Sequence, residues 1–357
     1  MTVLEGRVHR PPTTTPARMP VLLAGMGGAL PARRVTNAEL EQQVDTSDEW
    51  IVERTGIRER RVLAPGLGAS DLAEAAARSA LADAGMDAGD VDLLLVATCT
   101  PDQPMPSTAS LVAGRLGMRG AAFDLNAACS GWVYGLVTAA AMLTATGGRA
   151  ALLIGADVMS RWLDPADRTT LPLFGDGGAA AVLRPSDGGS GLLSWDLGVD
   201  GDGAAFLQVP AGGSRCPATA DTIGSGQHYI KMQGREVFRR AVRSVETSCR
   251  LVLGEAGVKP AEVALFVPHQ ANSRIVDAIL PRLGIAPDRT VVNIDRYGNT
   301  SAASVPLALC EAAAAGRLNE GDLVLVAGFG AGMTWATALL RWGYTGAGPA
   351  APVTLAE

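Results

Sequence analysis

The sequence predicts an α/β protein made of two copies of one unit, each with a mostly parallel sheet. Residues 81–94 recur as residues 253–266, and residues 148–155 recur as residues 321–328. Each copy of the first segment reads as a helix end, a glycine that stops the helix and a buried strand. Apolar strands alternate with helices in both halves, which is typical of sheets covered by helices on both faces.

The repeat divides the chain into four parts. We predict a first half at residues 21–190 and a second half at residues 191–343. Residues 1–20 are rich in Thr, Pro and Arg and lack an apolar signal core, so we expect a disordered extension there. Residues 344–357 are expected to form a flexible tail.

Composition limits the possible classes of function. The 357 residues are 48% apolar and 18% charged, which is enough to bury a large core. A net charge of −6 argues against nucleic acid as a partner. Five scattered cysteines without metal-ligand spacing predict reduced thiols in a cytoplasm and no metal site. The apolar stretch at residues 132–143 is too short to span a bilayer, so we expect no membrane association.

Cys129 is the first candidate catalytic residue. It lies where a short apolar strand runs into a small-residue helix, in the segment FDLNAACSGW at residues 123–132. The unpaired backbone N–H groups of a helix N-terminus favour thiolate over thiol, so this position can produce a nucleophile. A lone cysteine there would more often be an inert core residue, but two other segments change that interpretation.

His269 and Asn299 occupy similar positions in the second half. His269 follows an apolar run at the expected end of a strand, and Asn299 lies in a polar loop before a helix expected at about residues 302–315. Ligands of open α/β sheets bind beyond the strand ends, so equivalent loops of two fused halves should converge on one site. The repeat places Cys129 opposite Ser301, which is next but one to Asn299.

Six motifs occur in the order in which one known family has them. They are TSDEWIVERTGIR at residues 46–58, FDLNAACSGW at 123–132, FGDG at 174–177, PHQAN at 268–272, YGNTS at 297–301 and GFGAGMTW at 328–335. On these motifs the chain resembles the β-ketoacyl-acyl-carrier-protein synthase III family of the thiolase superfamily, over about residues 21–342. The resemblance implies a five-layered αβαβα thiolase-like fold and, normally, a homodimer.

The resemblance also implies a reaction that uses no resident cofactor. An acyl group passes from acyl-CoA to Cys129, and a malonyl-loaded acyl carrier protein then condenses with it by decarboxylation, which primes fatty-acid or polyketide synthesis. We assign the backbone N–H groups of Cys129 and Ala331 as donors to the oxyanion. His269 and Asn299 are suitable neutral donors to the enolate that decarboxylation leaves.

Residues that bind coenzyme A follow from the same resemblance. Trp50 and Arg168 would sandwich the adenine, and Arg54 would meet the phosphates. Asn272 and Arg274 would line the channel that carries the pantetheine arm. Arginine suits this task because it stacks on a flat ring and also binds phosphate.

The acyl pocket and the carrier-protein surface complete the expectations. By the resemblance, Met105 would reach across the dimer to line the partner's acyl pocket, and Phe329 would line the pocket as well. A basic face would steer an acidic carrier protein to the channel mouth. We assign this face to four arginines, three of them spaced four apart on a helix predicted at residues 234–255: Arg235, Arg239, Arg243 and Arg274. A solvated helix surface is the alternative for this stripe.

Two other functions stay open. An acyltransferase would load Cys129 and pass the acyl group to a carrier protein or a small acceptor without condensation. Asn299 favours the synthase, because simple transfer does not need two enolate donors. A catalytically silent subunit that only binds or dimerises is the other alternative, and the complete set of Cys129, His269 and Asn299 argues against it.

Overall fold

The computed structural model describes residues 19–356. The disordered extension predicted at residues 1–20 therefore lies almost entirely outside the described residues. Met19, at its end, is buried and forms a β-bridge with Leu192.

Strands and helices alternate along most of the chain. The strands are β1 (Val21–Pro31), β2 (Arg34–Thr36), β3 (Glu59–Arg61), β4 (Leu93–Ala97), β5 (Ala121–Leu125), β6 (Ala151–Val158), β7 (Asp176–Pro185), β8 (Gly191–Val199), β9 (Leu207–Gln208), β10 (Lys231–Met232), β11 (Leu265–Pro268), β12 (Leu323–Gly330), β13 (Thr334–Arg341) and β14 (Val353–Leu355). The α-helices are α1 (Asn37–Glu41), α2 (Asp48–Thr55), α3 (Ala69–Ala84), α4 (Thr108–Leu116), α5 (Gly131–Thr146), α6 (Ala220–Gly224), α7 (Gly234–Ala256), α8 (Ser273–Leu283), α9 (Ile294–Tyr297) and α10 (Ser304–Ala314).

Two sheets carry the fold. The larger sheet has the strand order β14-β1-β7-β6-β4-β5, and the smaller has the order β11-β12-β13-β8. In the larger sheet β5, β4 and β6 are parallel, and β7 is antiparallel to both β6 and β1. In the smaller sheet β11 and β12 are parallel, whereas β12, β13 and β8 are antiparallel. The second half is more mixed than its sequence indicates, because a tight turn joins β12 to β13 and can only make an antiparallel pair.

Helices cover and separate the sheets in five layers. Helices α3 and α4 pack outside the larger sheet, α5 and α10 lie between the sheets, and α7 and α8 cover the outside of the smaller sheet. Each interface has its own cluster of buried apolar side chains, and the largest surrounds α5 and α10. The predicted αβαβα arrangement is confirmed.

Small residues set the distance between α3 and the larger sheet. The helix is rich in alanine, and β1 carries glycines where the helix crosses it. A methyl group on Gly25 would come 2.4 Å from the carbonyl oxygen of Ala80, and one on Gly27 would come 2.5 Å from the Ala80 nitrogen. Glycine is therefore required where the two backbones approach.

The central helices α5 and α10 begin in the same way. Each follows a short 3₁₀ turn whose first residue has a left-handed φ, 48° at Ala128 and 51° at Ser301. Ala128 is therefore equivalent to Ser301, and Cys129 to Ala302, one residue away from the pairing inferred from the sequence repeat. The second half gains one residue between its two repeated segments, which shifts the later pairing.

Strand β7 ends at Pro185 and β8 begins at Gly191, on either side of the predicted boundary between the halves. The boundary at residues 190 and 191 stays a prediction. The tail differs from the flexible segment expected at residues 344–357, because Val353–Leu355 forms β14 and pairs in parallel with β1. An edge strand has unpaired backbone groups, and β14 satisfies those of β1.

Helix α5 is a core helix. With its preceding turn, the stretch Ala128–Thr146 has 19 residues and is apolar enough to cross a membrane by length and composition. It is longer than the apolar stretch expected at residues 132–143. It lies between the two sheets, however, and Trp132 and Leu136 on it are fully buried by protein. An apolar surface all round is what a helix between two sheets requires.

Candidate active site

Cys129 lies in the turn between β5 and α5. The first residue of this turn, Ala128, has a φ of 48°, which is strained for a residue with a side chain. Strand β12 packs directly on the turn, because a methyl group on Gly330 would come 2.7 Å from Cys129 N and one on Gly328 would come 2.8 Å from Ser130 Cα. The backbone of the second half thus holds Cys129 of the first half in position.

Burial dominates the chemistry of the Cys129 thiol. The residue is 7% exposed, and burial raises the pKa of its thiol to about 12. A hydrogen bond with the Ser301 hydroxyl acts to lower this pKa, and the charge of Asp157 acts to raise it. This direction is opposite to the one expected from the helix N-terminus, because desolvation is the largest influence on the pKa of the buried thiol.

His269 follows β11 and is buried. Its backbone N–H donates to the carbonyl of Ala327 at 2.7 Å, so it stands beside the strand that packs on Cys129. Its Nδ1 hydrogen-bonds to the hydroxyl of Ser304, the first residue of α10. Within residues 19–356, Nε2 has no hydrogen-bond partner and is available to a substrate. Burial lowers the pKa of His269 to about 3, so the ring is neutral at physiological pH.

Asn299 lies in the loop between α9 and α10. Its N–H donates to the carbonyl of Leu173 at 2.8 Å, and its carbonyl accepts from the N–H of Gly175 at 3.0 Å. Its side-chain Oδ1 accepts from Ser301 N at 2.9 Å, which fixes the orientation of the amide. In the described part of the chain Nδ2 has no hydrogen-bond partner, so it remains a donor for a ligand.

Ser301 connects these positions, and the sequence motifs do not single out its side chain. Its hydroxyl hydrogen-bonds to the sulfur of Cys99 at 3.7 Å, and it acts to lower the pKa of the Cys129 thiol. Its backbone N–H holds Asn299. Together with β12, which joins His269 to the Cys129 turn, these contacts place the three loops against one another.

Asp157 is a second residue that the sequence analysis misses. Its buried carboxylate accepts hydrogen bonds from Thr98 Oγ1 at 3.0 Å, Cys99 N at 2.8 Å and Thr100 N at 3.1 Å. Its other oxygen accepts from Ala302 N at 3.1 Å. The carboxylate thus ties the loop of Cys99 to the turn before α10. The only sequence signal was a carboxylate near the end of an apolar strand.

Two cavities adjoin the site. The inner cavity, of about 490 Å³, is lined by Cys129 and Ala331 and by mainly apolar side chains. Those side chains include Cys99, Met159, Trp162, Phe174, Leu207 and Ile230. The outer cavity, of about 720 Å³, is lined by Trp50, Arg54, Arg235, Asn272 and Arg274. Of the residues assigned to coenzyme A, the structure brings all but Arg168 to this cavity wall.

The segment next to Asn299 separates the cavities. Leu173 lines the outer cavity and Phe174 lines the inner one, and Asn299 pairs with both. Ala271, two residues after His269, also lines the outer cavity. His269 and Asn299 themselves line neither cavity, but residues next to them or paired with them do.

Two guanidinium groups already pack against the ring of Trp50. The Cζ atoms of Arg54 and Arg168 are 5.0 and 5.1 Å from the centre of its ring, and Arg168 also pairs with Asp45 at 2.8 Å. A base stacked between Trp50 and Arg168 needs about 7 Å, two contacts of about 3.5 Å each. The adenine sandwich expected from the sequence therefore requires Arg168 to move away from the ring.

Asn272 has a structural task at the wall of the outer cavity. Its Oδ1 accepts from Arg274 N at 2.9 Å and so caps α8, while its Nδ2 donates to the carbonyl of Arg54 at 3.0 Å. The side chain thus joins α8 to the end of α2. Arg274 itself is exposed.

The two residues assigned to the acyl pocket do not line the inner cavity of this chain. Phe329 is buried in the cluster beneath α7 and α8. It points there because successive side chains of a strand face opposite ways, and its neighbours Gly328 and Gly330 face Cys129. Met105 is 85% exposed at the surface.

The basic face is present on the surface. Arg235, Arg239 and Arg243 lie on one side of α7 and are all exposed. Arg239 pairs with Glu236 at 2.6 Å, and Arg235 lines the outer cavity. Among residues 19–356, no three His, Cys, Asp or Glu side chains are grouped as metal ligands.

Comparison with known proteins gives the family. The model of 3-oxoacyl-[acyl-carrier-protein] synthase III matches residues 123–201, and the model of its C-terminal region matches residues 253–342. The β-ketoacyl-[acyl-carrier-protein] synthase III of Symbiobacterium thermophilum is 51% identical over 91% of this chain and 98% of its own. The chain belongs to this family. It is a condensing enzyme of the acyltransferase class with the thiolase fold.

Solved structures of synthase III enzymes agree. The β-ketoacyl-[acyl-carrier-protein] synthase III of Thermus thermophilus is 47% identical, with a TM-score of 0.85 over 90% of this chain and 99% of that one. The priming β-ketosynthase of the R1128 polyketide pathway is 36% identical, with a TM-score of 0.83 over 93% of this chain and 99% of that one. At least 90% of this chain therefore shares the fold of these relatives, over 99% of their own length.

Proposed function

We propose that this synthase III loads an acyl group from acyl-CoA onto Cys129 and condenses it with a malonyl-loaded acyl carrier protein. The product is a β-ketoacyl thioester that begins a fatty-acid or polyketide chain. The observation that carries the proposal is the position of Cys129, His269 and Asn299. They come from both halves of the chain. Cys129 lines the apolar cavity. Leu173, which pairs with Asn299, and Ala271, two residues after His269, line the cavity that contains arginine and tryptophan.

In the first step the Cys129 sulfur attacks the thioester carbonyl. The backbone N–H groups of Cys129 and Ala331, which both belong to the inner cavity wall, would donate to the oxyanion. The carbon–sulfur bond to coenzyme A then breaks, and the proton lost by Cys129 ends on the released coenzyme A thiol. The Ser301 hydroxyl favours this proton loss, because it acts to lower the pKa of the Cys129 thiol. Acyl-CoA is a substrate here, and the step needs no resident cofactor.

In the second step the malonyl group loses carbon dioxide. The electron pair of the broken bond becomes an enolate, and the neutral Nε2–H of His269 and the Nδ2 of Asn299 would donate to its oxygen. The low pKa of His269 suits this role, because a neutral ring holds its proton and donates without giving it up. The enolate carbon attacks the acyl carbonyl, and the Cys129 sulfur leaves.

The outer cavity and the basic face would receive the two substrates. Trp50, Arg54 and Arg168 would hold the nucleotide of coenzyme A, and Asn272 and Arg274 would line the path of the pantetheine arm. An acidic carrier protein would dock on the exposed arginines of α7 and on Arg274. We place the enzyme in the cytoplasm, where its five free cysteines stay reduced. We also propose a homodimer in which exposed Met105 reaches the partner's inner cavity.

Intact-protein mass spectrometry tests the proposal. The protein is exposed to a panel of acyl-CoAs, and the loaded protein is then mixed with malonyl-loaded carrier protein. We expect an added acyl mass on the wild type and on the control Cys216→Ser, no added mass on Cys129→Ala, and a β-ketoacyl product on the carrier. Transfer of the unchanged acyl group to the carrier would identify an acyltransferase instead. No acyl mass from any thioester would identify a silent subunit.

A further inference from the structure

The inner cavity is much larger than an acetyl group. Its volume is about 490 Å³, whereas the three non-hydrogen atoms of an acetyl group take on the order of 90 Å³ if each occupies about as much as one water molecule. We infer, resting on the function proposed above, that the starter unit is a saturated aliphatic acyl group of about six to ten carbons.

The position of Cys129 decides which cavity holds the acyl chain. Tryptophan and arginine in the outer cavity suit the base and the phosphates of coenzyme A. Cys129 lines the inner cavity. A thioester whose arm enters from the outer cavity therefore places its carbonyl at Cys129 and its hydrocarbon chain in the inner cavity.

The inner wall selects against polar substituents. Thr334 Oγ1 accepts from Ser130 Oγ at 2.8 Å and lies 3.0 Å from the carbonyl of Ala127, so its hydrogen bonds are already made. Asn126 and Gln208 are exposed and lie at the rim of the cavity. No charged side chain of the described residues lines the cavity. A hydroxyl or carboxylate on the acyl chain that does not reach Asn126, Gln208 or the indole N–H of Trp162 would lose its water without gaining a partner.

Part of the wall is held firmly and so limits the length of the chain. The backbone N–H of Ile230 donates to the carbonyl of Trp162 at 2.8 Å. Met159 and Phe174 pack with Ile230 in one buried cluster, and Trp162 packs against it. Well-packed side chains do not yield to an overlong ligand without cost. A methionine inserted by a second subunit would remove on the order of 120 Å³, its four side-chain atoms, and leave most of the volume.

Chain length should show clearly in the kinetics. Each methylene moved from water to an apolar wall strengthens binding about fourfold. Hexanoyl has four methylenes more than acetyl, so kcat/KM for loading Cys129 should be on the order of 100-fold higher. The gain should end beyond about ten carbons, when the cavity is full.

The test measures kcat/KM for loading wild-type Cys129 with acetyl-, hexanoyl-, octanoyl-, tetradecanoyl- and 3-hydroxyhexanoyl-CoA, by rapid quench and intact mass. We expect hexanoyl and octanoyl to exceed the other three by about tenfold or more. Acetyl equal to hexanoyl, tetradecanoyl equal to octanoyl, or no penalty for the hydroxyl group would overturn the substrate class and leave the proposed function standing. Failure of every thioester to load Cys129 would refute the proposed function itself.

Two variants of the wall test the same inference in opposite directions. Trp162→Ala should move the preferred chain at least two carbons longer. Cys99→Phe should lower the ratio of octanoyl to acetyl loading by about tenfold or more. Ile223→Ala, on the exposed surface of α6, is the control and should keep the wild-type profile. A wild-type profile in both wall variants would mean that the acyl chain lies elsewhere.

Discussion

The Ser301 hydroxyl influences both thiols of the inner cavity. It hydrogen-bonds to the sulfur of Cys99 at 3.7 Å and acts to lower the pKa of Cys129. Burial raises the pKa of the Cys129 thiol to about 12, so a hydroxyl that favours the thiolate has a large effect on its reactivity. Ser301 therefore acts on the proposed nucleophile, and its backbone N–H acts separately on Asn299.

Ser301→Ala is expected to raise the pKa of Cys129 further. A hydrogen bond to a charged group contributes roughly 1.5–3 kcal/mol, so the thiolate fraction at a fixed pH should fall by about 10–100-fold. Thiolate forms above the pKa, so the curve of alkylation rate against pH should move to higher pH. Iodoacetamide labelling measures this curve. The control Ser194→Ala removes a different buried hydroxyl, which donates to the carbonyl of Val252, and should leave the alkylation curve unchanged.

Asn299→Ala is expected to separate the two half-reactions. Loss of one donor to a developing oxyanion typically costs about 10²–10³ in rate, so decarboxylation should fall by that factor. Loading of Cys129 should stay within about threefold, because acylation uses backbone donors. Single-turnover assays of each half-reaction measure this, with Asn319→Ala as a surface control. Equal loss of both half-reactions would refute the role given to Asn299.

The sequence locates candidate residues better than it describes their surroundings. Cys129, His269 and Asn299 can be found because the end of an apolar run is a local pattern. The pKa of Cys129 cannot be predicted from the sequence, because the residue is buried by β12, which lies in the other half of the chain. Phe329 is assigned to the acyl pocket although its side chain is buried on the other face of β12, because its motif does not reveal which face of the strand meets the site.

Among the secondary-structure elements, local patterns predict helices well and short edge strands poorly. Helix α7, predicted at residues 234–255, spans Gly234–Ala256. It ends where Gly257 takes a left-handed φ of 67°. The three-residue strand β14 is not predicted, because it exists only through its pairing with β1, more than 300 positions away in the sequence.

The contact between β1 and α3 gives a stability prediction. Gly27→Ala would place a methyl group 2.5 Å from Ala80 N, so the helix must move away from the sheet. Such overpacking typically costs about 1–3 kcal/mol of the free energy of unfolding. Urea denaturation measures the change. Gly89→Ala, whose methyl group would meet nothing within 4 Å, should stay close to wild type.

The basic face of α7 gives a prediction about the carrier protein. Arg239→Glu with Arg243→Glu reverses two charges outside the cavities, so the KM for malonyl-loaded carrier protein should rise by about tenfold or more at low salt. The effect should shrink as salt is added, and the KM for acyl-CoA should not change. Arg250→Glu, farther along the same helix, is the control. An unchanged KM for the carrier would mean that the stripe is only a solvated surface.

At the scale of the whole molecule, the internal repeat reveals the duplicated architecture, and the family motifs reveal the layers. The repeat cannot show that the smaller sheet is largely antiparallel, because strand direction depends on how the turn after β12 folds back. Nor can the repeat show which apolar side chains remain exposed to solvent. Met105 is 85% exposed, and Phe123 on the edge strand β5 is 37% exposed.

Met105→Glu is expected to weaken self-association. A charge at an apolar contact that is buried between two subunits should raise the dimer dissociation constant by about tenfold or more. Sedimentation velocity over a range of protein concentrations measures it. Ile223→Glu, at an apolar position that is 63% exposed elsewhere, should not change it. A dimer of unchanged affinity would show that Met105 does not contact a second subunit.

Strand β12 contains Gly328 and Gly330, which pack against the Cys129 turn, and Ala327, whose carbonyl accepts from the N–H of His269. The strand lies in the interior of the smaller sheet. The positions of Cys129 and His269 therefore depend on the core of the protein. Heat should abolish turnover at the same temperature at which the protein unfolds cooperatively, so residual activity after heating reports the fraction of molecules that are still intact.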